Sequence, residues 1–126
     1  MIGRRLFVYG TLLSGEPNAR FLAGATRVGA AATVALFDLI DLGGYPALRA
    51  GGRTSVRGEV YLVGDRQLPA LDELEGHPTL FVRAPIALAG GDTAEAYLVP
   101  PTGLSLAHHT ARVIPGGDWR RHRRAR

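Results

Sequence analysis

Arg5-Leu6-Phe7-Val8-Tyr9-Gly10-Thr11-Leu12 runs as an apolar strand and then breaks at a glycine. The first five residues are dense in strand-favouring side chains. Gly10 can take backbone angles forbidden to other residues and lets a ligand approach the main chain. A strand that ends in a glycine turn presents consecutive N–H groups, which can form an anion-binding concavity. Ordinary hairpins begin the same way, so the stretch needs support from elsewhere in the chain.

Outward from this strand, paired glycines mark corners at Gly43-Gly44, Gly51-Gly52, Gly90-Gly91 and Gly116-Gly117. They read as hairpin turns, and none forms the fingerprint of a dinucleotide site. Strands are predicted at 4–9, 26–38, 55–63, 80–89 and 92–99, with an extended piece at 45–49. Gly58 lies inside a strand pattern, the mark of a bulge or a close backbone approach. Helices are predicted at 17–24 and 66–75. Strand and helix do not alternate, which argues against a doubly wound parallel sheet. The expected class is α+β: a small mixed, mostly antiparallel β-barrel with flanking helices, whose closure would remove exposed strand edges.

A chain of 126 residues suits one domain with a real core. We assign it to residues 1–119, followed by a basic tail at 120–126. The net charge is +4, every basic residue is arginine, and five arginines fall in that tail. Without them the remainder carries about −1. Such a run can bind nucleic acid, or it can be a frayed, solvated end. No other feature resembles a nucleic-acid module, so no nucleic-acid partner is expected. The absence of cysteine excludes disulfides, thiolate metal sites and a cysteine nucleophile. No apolar run approaches the roughly 20 residues of a membrane span. The N-terminus enters a strand without a signal-peptide pattern, so the expected location is the cytoplasm, with no membrane partner.

The helix predicted at 66–75 carries the chemistry. Asp65 is its expected N-cap, Pro69 falls in its first turn and Gly76 is its expected C-terminal stop. With Leu68 set at 0°, a helical step puts Leu71 at about 300°, Leu74 at about 240° and Glu75 at about 340°. Glu73 falls at about 140°, on the outer side. Glu75 is therefore on the apolar stripe. A carboxylate there costs several kcal/mol unless paired, hydrogen-bonded or protonated. Burial raises its pKa towards the range useful for acid–base work, and the helix C-terminus pushes the same way. The competing reading is that Glu75 bends out at a frayed end or pairs with Arg83.

Together, Tyr9-Gly10-Thr11-Leu12, Glu16-Pro17-Asn18, Leu22, Gly58-Glu59-Val60-Tyr61, Leu71-Asp72-Glu73-Leu74-Glu75-Gly76 and Arg83 resemble the γ-glutamylcyclotransferase-like, or AIG2-like, family. The likeness covers residues 5–99, and Ile114-Pro115-Gly116-Gly117-Asp118-Trp119 resembles the end of some bacterial members. It implies the γ-glutamylcyclotransferase-like fold, a small mixed β-barrel with flanking helices. It also implies an enzyme that needs no cofactor or metal and takes a small-molecule γ-glutamyl amide. Its nearest implied relatives are γ-glutamylamine cyclotransferases and the enzyme that removes a γ-glutamyl group from butirosin-type aminoglycosides.

By resemblance, Glu75 is the catalytic acid–base and Tyr9, Gly10, Thr11 and Leu12 bind the γ-glutamyl moiety. Tyr45, in a segment like the family's pocket edge, and Arg83 join them as substrate-binding residues. The loop binds either the α-carboxylate or the developing oxyanion. The implied reaction closes a lactam, releasing 5-oxoproline and a free amine. A non-catalytic small-molecule-binding protein on the same fold is the alternative function.

One departure is Phe81-Val82-Arg83, where relatives have Tyr-x-Arg; the ring either packs or has lost a substrate-binding hydroxyl. His77, His108, His109 and His122 lack a metal-binding spacing. His77 lines the pocket or is an ordinary loop residue. Asp118-Trp119 closes over the pocket or anchors the tail. Neither the leaving amine nor the oligomeric state follows from the sequence.

Overall fold

The computed structural model describes residues 3–100 and 112–125. Its strands are β1 (Arg4–Val8), β2 (Thr26–Ala32), β3 (Phe37–Asp41), β4 (Pro46–Ala50), β5 (Arg57–Val63), β6 (Val82–Ala87), β7 (Thr93–Leu98) and β8 (Arg112–Val113). Helix α1 is Leu68–Glu75 and helix α2 is Trp119–Arg124. No helix among the described residues is long and apolar enough to cross a membrane. His108 and His109 lie outside the described residues.

The strands form one mixed sheet in the order β2-β5-β1-β7-β4-β3-β8, with β6 branching from β7. Five pairings are antiparallel; β1 and β4 both run parallel to β7. The mixed, mostly antiparallel α+β expectation holds. The closed barrel does not, because the hydrogen-bonded path has two ends, β2 and β8. Among the described residues, an isolated bridge, Thr33 to Leu88, links the end of β2 to the end of β6.

One consequence of this pairing positions the site. β6 lies along β7 from Thr93 to Leu98, so β1, opposite Glu95, and β4, opposite Leu98, share the other edge of β7. Those two strands diverge, and a cleft opens where β1 ends and β4 begins.

Side chains alternate between the two faces as the pleat requires. Phe7, Val60, Ala96 and Leu98 pack on one side with Leu39, Leu48, Ile114 and Trp119. Leu6, Val8, Tyr61, Val63 and Tyr97 pack on the other beneath Leu68 and Leu71 of α1. Gly58 is needed for close approach: a Cβ there would collide with the carbonyl of Val8 and the Phe7 ring. The bulge itself lies in β2, between Arg27 and Gly29.

Several boundaries differ from the sequence reading. The strand expected at 26–38 splits into β2 and β3, although no glycine or proline marks the break. Buried Thr33 makes the turn: its hydroxyl accepts from the Val56 N–H at 2.9 Å and donates to the Val34 carbonyl at 2.8 Å. The helix expected at 17–24 is one 3-10 turn, Ala19–Leu22. The Asn18 side chain does not cap it, because it is bonded to Thr11 instead. Asp65 does not cap α1 either; the helix starts after Gln67, and Asp65 lies in a turn, 3.8 Å from Arg4. Gly76 ends α1 in the left-handed conformation at φ 66°, as expected. Gly43-Gly44 and Gly90-Gly91 turn hairpins, whereas Gly116-Gly117 belongs to a 3-10 turn, Pro115–Gly117.

Candidate active site

The helical phase places Glu75 as the sequence pattern requires. Leu71 is fully buried, Leu68 nearly so, and Glu73 is exposed. Glu75 lines a small, half-open cleft at the divergence of β1 and β4. The rest of its wall is the end of β1 (Phe7 to Tyr9), the loop Gly10 to Leu12, Tyr45 and Pro46 before and in β4, and Tyr97 of β7. Tyr9, Gly10, Thr11, Leu12, Tyr45 and Glu75 are thus brought together from three distant parts of the chain. Tyr45 is 47% exposed and stands at the mouth.

Glu75 makes no hydrogen bond or ion pair among the described residues. Burial pushes its pKa up to about 7. The alternative pairing with Arg83 is not formed. Arg83 is held bidentately by Asp72, with Nε to Oδ1 at 2.9 Å and Nη2 to Oδ2 at 3.2 Å. Its Nη1 donates to both oxygens of Glu95, at 3.1 and 3.0 Å. Arg83 does not line the cleft. The hydrogen bonds and charge of Asp72 raise its pKa further above the ordinary arginine range, against the effect of burial.

Asp72 is the residue the sequence reading did not single out. It falls at about 40° in the helical phase, on the same inner face as Glu75. Burial acts to raise its pKa, but hydrogen bonds from Arg83 and from the Tyr97 hydroxyl, at 2.7 Å, hold it below the ordinary range. Asp72 thereby fastens α1 to β6 and β7 one turn before Glu75. The adjacent Tyr9 hydroxyl donates to the Tyr97 carbonyl at 2.7 Å. Its pKa is pushed up by burial and then by the negative charge of Glu75.

The opposing loop has a defined shape. The Leu13 N–H donates to the Gly10 carbonyl at 3.0 Å, and the Asn18 N–H to the Thr11 carbonyl at 2.8 Å. The Asn18 side-chain amide donates to the Thr11 hydroxyl at 3.0 Å. The N–H groups of Gly10, Thr11 and Leu12 donate to no acceptor among the described residues. Such donors suit a carboxylate or a developing oxyanion. Gly10 does not use a positive φ, contrary to the expectation for this turn. Its missing side chain matters for contact: a Cβ would lie 2.5 Å from Cγ of Pro46.

His77 is not in the cleft; its Nδ1 accepts from the Arg83 N–H at 3.0 Å. Phe81 is 7% exposed and packs in the core with Leu71 and Tyr97, so its ring serves packing. Trp119, at 1% exposed, anchors the core rather than closing the cleft. Arg120, Arg121, Arg123 and Arg124 lie in the helix Trp119–Arg124, with Asp118 accepting from the Arg121 N–H at its start.

Residues 6–121 match the family described as Gamma-glutamyl cyclotransferase, AIG2-like, and the chain belongs to that family, whose enzymes are of the γ-glutamylcyclotransferase type. It is 40% identical over 114 residues to a Vibrio cholerae protein provisionally named a gamma-glutamylcyclotransferase, covering 90% of this chain and 93% of that one. It is 44% identical over 71 residues to the gamma-L-glutamyl-butirosin B gamma-glutamyl cyclotransferase of Niallia circulans, covering 56% of this chain and 44% of that protein. The crystal structure of a Mus musculus AIG2-like protein superposes with a TM-score of 0.77 at 26% identity, covering 94% of this chain and 90% of that one.

Proposed function

We propose that this protein is a γ-glutamyl cyclotransferase that converts a γ-glutamyl amide into 5-oxoproline and a free amine, with Glu75 as the acid–base. The observation that carries this reading is an unpaired carboxyl, its pKa raised by burial, in a cleft lined by a loop with free N–H donors. The substrate's own α-amino nitrogen attacks the γ-carbonyl carbon and forms the new C–N bond. The amide C–N bond breaks as the leaving nitrogen takes up a proton. Glu75 accepts the proton from the attacking amine and passes it to the leaving amine, so one carboxyl serves both steps. No water is consumed, and no external nucleophile is needed.

The loop Gly10 to Leu12 binds the α-carboxylate or the oxyanion, and holding the glutamyl chain folded supplies much of the rate. Tyr9 and Tyr45 bound the substrate on either side. Arg83 contributes through its hold on Asp72, and so through the seating of α1. A protein that only binds a small molecule would gain nothing from leaving Glu75 unpaired. The test is a panel of γ-glutamyl amides assayed for 5-oxoproline release. Glu75→Gln should lower turnover roughly 10²–10⁴-fold in a folded protein. Glu73→Gln, on the exposed face of the same helix, should leave it unchanged. Near wild-type turnover in Glu75→Gln would remove the mechanism.

A further inference from the structure

We infer that Glu59 and Arg120 are positioning residues that clamp the cleft loop, which makes the C-terminal helix α2 part of the substrate-binding machinery. The inference rests on the proposed function for the use of the loop, but the clamp itself can be tested without turnover.

Glu59 is only 3% exposed, yet it lies outside the cleft. It stands opposite Val8 in the β1–β5 register, at the root of the loop. Its carboxylate accepts from the Ser14 N–H at 2.9 Å and the Ser14 hydroxyl at 2.8 Å. Arg27 donates to it at 3.1 Å, and the Tyr61 hydroxyl at 3.2 Å. Burial acts to raise its pKa, but the two Ser14 bonds, Arg27 and the charge of Arg120 together hold it below the ordinary range. Arg120 reaches the same serine from the far end of the chain. Its Nη2 donates to the Ser14 carbonyl and lies 3.1 Å from the Ser14 hydroxyl, while Nη1 is 3.7 Å from Glu59. Both backbone polar groups of Ser14 are therefore held by charged side chains from different elements.

α2 is seated so that Arg120 can do this. Trp119 is sunk in the core, Arg123 pairs with buried Glu16 at 2.8 Å, and His122 contacts Asp41 at 2.8 Å. Within the loop itself, Asn18 is bonded twice to Thr11. The free donors of Gly10 to Leu12 flank the first anchored position, Thr11, and Ser14 follows two residues after Leu12. A buried ion pair is weak evidence for stability, since apolar replacements of similar size often stabilise as well or better. A cluster that fixes the backbone of a ligand-binding loop has a use apart from stability: it sets donor positions before substrate arrives.

The experiment compares wild type with Arg120→Ala, Arg120→Lys and Glu59→Gln. Thermal unfolding first establishes that each is folded; the partly exposed Arg120 makes its variants the robust pair. Amide hydrogen exchange at Leu13, Ser14 and Glu16, whose N–H groups are bonded, should quicken by about tenfold or more in Arg120→Ala, with β5 amides unaffected. KM should rise about tenfold while kcat stays within about twofold, the signature of lost binding geometry rather than lost chemistry. Arg120→Lys should recover part of the affinity, because one ammonium cannot reproduce the fork that spans Ser14 and Glu59. Glu59→Gln, which keeps the shape but only one acceptor oxygen and no charge, should also raise KM and quicken exchange at Ser14. Unchanged loop exchange, or quickened exchange with unchanged KM, overturns the inference. So does a fall in kcat alone. If wild type releases 5-oxoproline from no γ-glutamyl amide, the proposed function fails, and the exchange comparison still decides whether the clamp exists.

Discussion

Replacing Glu75 by glutamine should stabilise the protein at alkaline pH while removing its activity. The carboxyl titrates near 4.5 in a model compound and about 7 in the folded chain, and burial is the cause. Between those two values the folded state binds a proton that the unfolded state has released. Stability therefore falls as pH rises through this window, the reverse of an ion-paired carboxylate. The full difference corresponds to about 3 kcal/mol lost between pH 4 and pH 8. Partial contact with solvent in an open cleft makes this an upper figure.

Glutamine keeps the shape and carries no charge at either pH. The assay is urea unfolding of wild type and Glu75→Gln at pH 4 and at pH 8. At pH 4 the two should differ little, since the wild-type carboxyl is protonated in the native state. At pH 8 the variant should be more stable by about 1–3 kcal/mol, with an unchanged denaturant slope. The difference between the two pH values cancels any packing effect of the substitution. An equal difference at both would refute the claim that the carboxyl is desolvated and unpaired. A variant less stable only at pH 8 would reveal a favourable partner for the charge.

In the wild-type enzyme, kcat/KM should rise with pH along a limb centred near 7, because Glu75 must be ionised to accept the proton from the attacking amine. A limb set only by the substrate's ammonium would lie at about 8 or above, and finding only that limb would deny Glu75 the base role. Gly10→Val should cost about 1–3 kcal/mol of stability by overpacking against Pro46; an undiminished melting temperature with full activity would contradict the close approach. Arg83→Met should destabilise by about 2 kcal/mol or more at pH 7, because it leaves Asp72 and Glu95 without their shared cation. That loss should shrink in acid as Asp72 protonates, and a pH-independent loss would point to packing instead.

The sequence by itself determined what local periodicity can encode. The run of strand-favouring residues in 5–9 placed β1, and the helical step from Leu68 put Leu71 and Glu75 inward and Glu73 outward. The φ of Gly76 followed from its place after the helix. These features depend on neighbours within a turn or a pleat, where residue type and spacing decide the face. Tertiary structure alone decided which groups share a charge. The sequence offered Glu75 as a partner for Arg83, and only the β6–β7 register and the seating of α1 give Arg83 to Glu95 and Asp72 and leave Glu75 unpaired. The cleft was also settled there, because β1 and β4 share one edge of β7 and diverge. So was the role of the terminal arginines, which read as a solvated tail until Trp119 is seen in the core and Arg120 meets Ser14 across 106 positions. Contacts between distant segments are set by topology and register, and no short-range pattern in the chain records them.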